Sequence, residues 1–394
     1  MSPSSSIRHK ISHPSFSKYL KLVACSCFLC LIAVATINYT VDPVNIYPSL
    51  PTADSHNKPL IGEVVKQLIQ SDFGIFYLND TWSIREIKRE LALHPTSAQC
   101  AVIGSSHVMG ISSYTKESSL TDNCSSLINL GVDGASLEDY LAFSELILQN
   151  KKPPKTIVFG IDPWSLNFNK DQRWRQNELD TINMKTRLTN ANESLHVSFG
   201  SSLETGDSLA KLLHLINREY FLRSIEYMLR GKRNWITQLA PEFDQKTGLD
   251  SSVLLPDGSY IYPTQATQKG SPHKISGVHS YKITNGQWFN SNAIETFTLL
   301  VKHLQKHDFK MVFVLTPYHP AVWGIPKQPI VTAMKIIETK IHEIAMTTEV
   351  LVIGSYQPEN IGCTTSEFRD ASHADISCLN KLERLSFPYH LKVS

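Results

Sequence analysis

Residues 100–107, Cys100-Ala101-Val102-Ile103-Gly104-Ser105-Ser106-His107, pass from four apolar residues to a glycine, then to two hydroxyls and an imidazole. A short apolar run ending in glycine is the pattern of a strand buried on both faces, and it is too short for a helix. Outward from it the pattern recurs in Ser126–Leu130, Thr156–Ile161, Lys310–Thr316 and Glu349–Ile353. Helical spacing separates these runs: Leu137, Leu141, Leu146 and Leu148, then Ile294–His307 and Ile330–Met346, with a last helix over Ala374–Leu385. Strands alternating with helices, and no hairpin between them, predict an α/β domain with a parallel sheet and helices on both faces.

The rhythm breaks between the third and fourth runs. Residues 169–292 begin polar, carry a helical stretch over Ser208–Leu229, and continue through a segment punctuated by proline and glycine. Within it Leu255-Pro-Asp-Gly-Ser-Tyr-Ile-Tyr262 predicts a turn at Asp257-Gly258 between short strands. A structureless loop of such length is unfavourable in a compact domain, so an inserted lid or subdomain is expected. The expected organisation is a tail over 1–18, an apolar span over 19–40, and a linker with capping helices over 41–98. The core then follows in two parts, 99–168 and 293–394, around the insertion at 169–292.

Composition narrows the function classes. The chain has 394 residues, 42% hydrophobic and 19% charged, which supports one large core or two modest ones and excludes a disordered chain. Lys+Arg 38 against Asp+Glu 36, with no basic stripe or zinc-finger spacing, argues against a nucleic-acid partner. Arg8, Lys10, Lys18 and Lys21 precede the uncharged run Leu22–Ile37, and no acid appears before Asp42. That is the pattern of a secretory signal or signal anchor, with the N-terminus in the cytoplasm and residues 42–394 outside it. The run falls short of the roughly 20 residues that cross a bilayer, but Asn38, Tyr39 and Thr40 extend it, and Tyr19 and Tyr39 suit the two interfaces. Ala33-Val34-Ala35 also satisfies the small-x-small rule, so a single-pass anchor and a cleaved signal both stand.

An exported domain permits disulfides. Cys25, Cys27 and Cys30 lie in the apolar run, leaving Cys100, Cys124, Cys363 and Cys378. Cys100 opens the first strand and Cys124 precedes the second; Cys363 and Cys378 flank one turn. The expected pairs are therefore Cys100–Cys124 and Cys363–Cys378, with buried free thiols as the alternative.

Reactive groups of open α/β sheets gather at the carboxyl ends of the strands. Ser105 and Ser106 stand at such an end, where a serine presents its hydroxyl beside backbone N–H groups or simply caps the next helix. Asp370 and His373, three residues apart after the last strand, have the spacing of a base and its orienting carboxylate, or of a helix cap. Taken together these blocks resemble the SGNH (GDSL-like) hydrolase superfamily, within it the membrane-anchored branch of DltD- and alginate-acetylation-type proteins. Gly104-Ser105-Ser106 is similar to its first block, Asn129-Leu-Gly131-Val-Asp-Gly134-Ala-Ser136 to its second, and Asp370-x-x-His373 to its last. The resemblance covers 100–165 and 310–385. It implies a three-layer, flavodoxin-like fold without a cofactor, with Ser106 as nucleophile, His373 as base and Asp370 orienting it. It also implies an oxyanion hole from the N–H groups of Ser106 and Gly131.

One block departs from the family. The third normally ends in an asparagine that donates to the oxyanion, whereas Gly160-Ile161-Asp162-Pro163-Trp164 carries Asp162 there. An ionised carboxylate repels an oxyanion, so Asp162 points away, is protonated, or has another task. His107 is a candidate to line the acyl pocket, and Tyr318 and His319 to contact substrate, although turn chemistry explains the latter pair equally well. His107, His319, Asp370 and His373 share one sheet edge but lack paired ligand spacing, so no metal is expected. Trp164, Trp174 and Trp288 are sugar-stacking or core residues. The expectation is an exported serine esterase or O-acyltransferase acting on acylated envelope glycans or other polyol esters. The other class is a non-catalytic protein of the same fold that binds polysaccharide or a membrane-bound O-acyltransferase.

Overall fold

The structure, a computed structural model, describes residues 16–41, 61–76, 83–114, 124–167, 173–191, 215–216, 218–229, 252–262, 289–324 and 329–382. In chain order the longer helices are α1 Phe16–Val41, α2 Ile61–Gln70, α3 Ile84–Leu93, α4 Leu137–Gln149, α5 Glu178–Ala191, α6 Arg218–Leu229, α7 Ser291–Lys306 and α8 Pro329–Thr348. The strands are β1 Ile75–Phe76, β2 Cys100–Ile103, β3 Leu127–Asn129, β4 Thr156–Gly160, β5 Val253–Leu254, β6 Tyr260–Ile261, β7 Lys310–Leu315 and β8 Leu351–Gly354. Two compact units result, one holding α1 and α6, the other holding the remaining elements.

In the first unit, Lys18–Val41 is long and apolar enough to cross a membrane. Two hydroxyls in it are satisfied within the helix: Thr36 and Thr40 donate to the carbonyls of Ile32 and Thr36, both at 2.8 Å. Asn38 is buried, donating to the Leu215 carbonyl at 2.8 Å and accepting from the Ser224 hydroxyl at 3.1 Å.

The second unit is built on a parallel sheet in the order β3-β2-β4-β7-β8. Counted along the chain, the five strands run 2-1-3-4-5. Strand alternation divides the core. Ala101, Ile103, Phe159, Phe313 and Leu315 pack with Tyr140 and Phe143 of α4, Phe297 of α7 and Ile337 of α8. Val102, Val158, Val314 and Ile353 face the other way, onto Val108, Phe368, Leu379 and the four cysteines. The long helices therefore cover one face, where helices on both were expected. Right-handed crossovers give the reason. The connections β3–β4, β4–β7 and β7–β8 all step in one direction across the sheet, whereas β2–β3 steps back and lies on the opposite face. Among its described residues that connection forms turns at 106–110 and no helix. The C-terminal segment adds only the one-turn helices Pro358–Ile361 and Ile376–Leu379. The helix expected over Ala374–Leu385 is thus a single turn, begun by Asp375, which accepts from the N–H groups of Ser377 and Cys378; residues after Leu382 lie outside the described ones.

Within 169–292 the described residues include α5, α6 and the β5–β6 hairpin. Helix α5 lies along α4, tied by Arg187 to Glu145 at 2.7 Å and by the Thr181 hydroxyl to the Glu138 carbonyl at 3.0 Å. Strands β5 and β6 join β1 in a small antiparallel sheet, turning at Asp257-Gly258. Gly258 has φ 82°, a left-handed conformation that glycine adopts without strain. Helix α6 belongs to the first unit, and residues 208–214 lie outside the described ones.

Candidate active site

Sheet order places β2 and β4 side by side, with Ile103 opposite Phe159, so the chain leaves both strands at glycine: Gly104 and Gly160. Neither glycine can carry a side chain here. A Cβ on Gly160 would lie 2.3 Å from Val108 Cγ1, and one on Gly104 would lie 2.7 Å from Val108 Cγ2. Val108, 1% exposed, folds back over the two strand ends and draws the preceding turn onto the sheet. Ser106 sits in that turn, partly exposed, at the topological switch point between the first and third strands of the order, where open α/β sheets have their crevice.

Ser106 Oγ lies 2.9 Å from His373 Nε2. His373 Nδ1 in turn lies 2.8 Å from Asp370 Oδ2 and 3.0 Å from Oδ1. Asp370 also accepts from the N–H groups of Ser372 at 2.8 Å and His373 at 2.9 Å, which closes the turn and aims the imidazole. Burial alone would raise the Asp370 carboxyl, but these hydrogen bonds and the facing imidazole hold it well below the usual carboxylate range. Burial is the main cause that lowers the His373 imidazole below its ordinary value; Asp370 opposes it, and His107 lowers it further. Such a chain has the connectivity of a nucleophile, a base and an orienting acid.

Ser105, adjacent in sequence, is fully buried, and its hydroxyl accepts from the His107 N–H at 3.2 Å. It braces the turn and faces no base. Gly131 lies against Ser105, with the Ser105 carbonyl 3.2 Å from where its Cβ would stand. Its N–H donates to Asn129 Oδ1 at 2.9 Å, so this expected oxyanion donor is engaged within the protein. Asn129 Nδ2 completes the knot by donating to the carbonyls of Val108 and Ile111, each at 2.8 Å. The Ser106 N–H has no partner among the described residues.

Asp162 pairs with His107, Oδ1 to Nδ1 at 2.7 Å, both side chains being almost fully buried. The His107 ring is boxed edge to face by Trp164, Tyr318 and His373, with centroids at 5.3, 5.2 and 4.7 Å. Tyr318 is therefore a wall of the His107 niche. His319 caps the one-turn helix Pro320–Trp323, accepting from the Ala321 N–H, and its own N–H reaches the Ala371 carbonyl at 3.2 Å. That bond joins the loop after β7 to the Asp370–His373 turn. Burial lowers the His319 imidazole, with Asp370 opposing. Trp164 anchors its indole N–H on the Ala135 carbonyl at 3.1 Å. Trp174 lies under the Arg175 guanidinium, and Trp288 falls outside the described residues. Among the described residues no group of three His, Cys, Asp or Glu is placed to hold a metal ion.

Bonds Cys100–Cys124 and Cys363–Cys378 are both formed, with Cα–Cα distances of 5.6 and 5.4 Å. The first ties the start of β2 to the segment entering β3, and the second closes the loop that contains Asp370 and His373.

Four contacts were not anticipated. The Tyr262 hydroxyl lies 3.4 Å from the Ser106 carbonyl, and the Arg369 guanidinium stacks 3.2 Å over the Tyr262 ring, so the β5–β6 hairpin borders the serine. Fully buried Lys88 donates to the Asn129 carbonyl at 2.6 Å and to the Gly258 carbonyl, and burial, against the attraction of Asp257 and Asp133, lowers its ammonium to about 7. The one available signal was a lysine within the apolar stripe Ile84, Ile87, Leu91 of α3. Neither a known protein family nor any curated protein matches this chain.

Proposed function

We propose that the protein is a membrane-anchored serine esterase or O-acyltransferase with its catalytic unit outside the cytoplasm, acting on acyl esters of cell-envelope glycans. The observation that carries this reading is the unbroken chain Ser106–His373–Asp370, at 2.9 and 2.8 Å, standing at the switch point of the sheet. The 2-1-3-4-5 strand order supports a flavodoxin-like, SGNH-type core. Two disulfides and the basic flank before α1 support an oxidising, extracytoplasmic location. Ser106 attacks the acyl carbonyl while His373 takes its proton, then returns it to the leaving alkoxide. Deacylation repeats the sequence with water or a sugar hydroxyl, which His373 activates.

Fluorophosphonate labelling and p-nitrophenyl acetate turnover by the full chain in detergent test the reading. Ser106→Ala is expected to abolish both, and Ser105→Ala to retain most of both. Wild-type protein that neither labels nor turns over ester would refute catalysis and leave the non-catalytic, glycan- or acyltransferase-binding class.

A further inference from the structure

An acyl-transfer site needs donors where negative charge develops, and this one is short of them. The Gly131 N–H is spent on Asn129, and position 162 carries an acceptor. Among the described residues the Ser106 N–H has no partner and stands ready. Yet Asp162 is not idle. Its Oδ1 grips His107 Nδ1 at 2.7 Å, and its Oδ2 is buried with no partner among the described residues. A carboxylate 1% exposed, with one oxygen unsatisfied, is costly unless a positive charge stands beside it, and His107 is the group in contact with it.

We propose that His107, held at Nδ1 by Asp162, donates from Nε2 to the oxyanion formed when Ser106 attacks an acyl ester. The proposal rests on the serine-hydrolase reading above. In place of an asparagine donor the site would use an imidazole N–H, with the Asp162 carboxyl group one step behind it. Four observations converge. His107 follows Ser106 directly in the chain. Its ring is 4.7 Å from that of His373, centre to centre. Trp164, Tyr318 and His373 fix the ring from three sides, so the donor is preorganised, the condition under which such groups contribute most. Nδ1 is committed to Asp162, with the Thr316 hydroxyl at 3.4 Å, which leaves Nε2 as the nitrogen free to act.

The step balances without a co-reactant. Ser106 Oγ bonds to the acyl carbon, the carbonyl electron pair moves onto its oxygen, and the Ser106 proton passes to His373 Nε2. His107 donates a hydrogen bond and transfers no proton. Collapse of the intermediate breaks the bond to the leaving alkoxide, which takes the proton from His373.

The test uses the full chain in detergent, p-nitrophenyl acetate as substrate, and phenylboronic acid, which forms a tetrahedral anion on a reactive serine. His107→Ala is expected to lower kcat by about 10²–10³-fold with KM changed less than about threefold, the signature of a lost oxyanion donor. The boronate inhibition constant should rise by a similar factor. His107→Gln, which keeps an N–H donor without the ring, should recover part of both, and Asp162→Asn should fall between it and wild type. A purely structural His107 would lower the melting temperature and leave boronate affinity and kcat uncoupled; that outcome, or unchanged kcat in a folded variant, overturns the proposal. Should His107→Ala fail to fold, His107→Gln decides on the same two readouts. A dead Ser106→Ala beside a fully active His107→Ala removes this inference alone. An active Ser106→Ala removes the hydrolase reading, and this one with it.

Discussion

Gly160→Ala is the smallest change that should disarm the site without touching a reacting group. The new Cβ would lie 2.3 Å from Val108 Cγ1, 3.1 Å from Cγ2 and 3.2 Å from Cβ. Val108 is a stiff, β-branched side chain, 1% exposed, so it cannot swing aside. Overpacking of this kind costs about 1–3 kcal/mol. Removing a glycine from a strand returns roughly 0.5–1 kcal/mol of backbone entropy. The net loss is then about 1–2 kcal/mol, or a fall of roughly 2–8 °C in melting temperature for a unit this large. The clash also has a direction. Val108 is two residues beyond Ser106, so relief of the overlap lifts the turn and lengthens the 2.9 Å contact between Ser106 and His373. Fluorophosphonate labelling should slow more than the stability loss explains. Val108→Ala removes both offending methyls and alone costs about 2 kcal/mol in buried apolar surface and cavity. The double variant should be more stable than the sum of the singles by about 1–2 kcal/mol and should label faster than Gly160→Ala. Strict additivity, or a Gly160→Ala protein with wild-type melting and labelling, would refute the argument that Val108 seats the nucleophile turn.

Three further outcomes are expected. Asp370→Asn should lower kcat by roughly 10²–10⁴-fold. Because Asp370 raises the His373 imidazole, its loss should also move the acid limb of the kcat/KM profile to lower pH; a limb that stays in place would show that His373 is not the titrating base. Burial holds His303, His319, His342 and His373 below the ordinary imidazole value of 6.5, so below that pH the unfolded chain takes up protons that the folded one refuses. Melting temperature should therefore fall as pH drops below 6.5, and a flat curve down to pH 5 would contradict the burial of these rings. Cys363→Ser with Cys378→Ser opens a loop of sequence separation 15, a loss of about 3 kcal/mol in the chain-entropy account, and should slow Ser106 labelling because His373 lies inside the loop.

The strands were legible because each is a short apolar run that ends at a turn residue, and the five runs correspond to β2, β3, β4, β7 and β8 with shifts of a few residues at their ends. The shift at β8 is physical: Glu349 has φ 54°, a turn conformation, and the strand starts after it at Leu351. That the described residues after the first strand form turns rather than a helix was not legible, because those that follow Ser106 are claimed by tertiary contacts. Val108 is drawn onto Gly104 and Gly160, and Asn129 takes the carbonyls of Val108 and Ile111. A segment whose carbonyls are pulled toward a strand end cannot direct them along a helix axis. The placement of the described pieces of 169–292 was not legible for a related reason: α5 packs on α4 and β5 pairs with β1, elements distant in sequence, so no local pattern reports where each belongs.

Position 162 shows where reading residues one block at a time runs out, and what replaces it. As an isolated departure an aspartate there opposes the chemistry of the blocks around it. Its meaning depends on a partner 55 residues earlier in the chain, His107. That partnership follows from strand order. With β2 and β4 adjacent and Ile103 opposite Phe159, the two chains leave the sheet side by side, and residues a few positions beyond Gly104 and Gly160 must converge. An acid on one exit and an imidazole on the other then make a buried pair rather than a lone charge, and the pair stands beside the imidazole that faces the serine. A different order, with β3 between β2 and β4, would separate the same residues by two strand spacings, roughly 10 Å, and leave Asp162 with nothing to hold. The pairing of Asp162 is therefore a property of the topology, and it becomes readable only once the order of the strands is known.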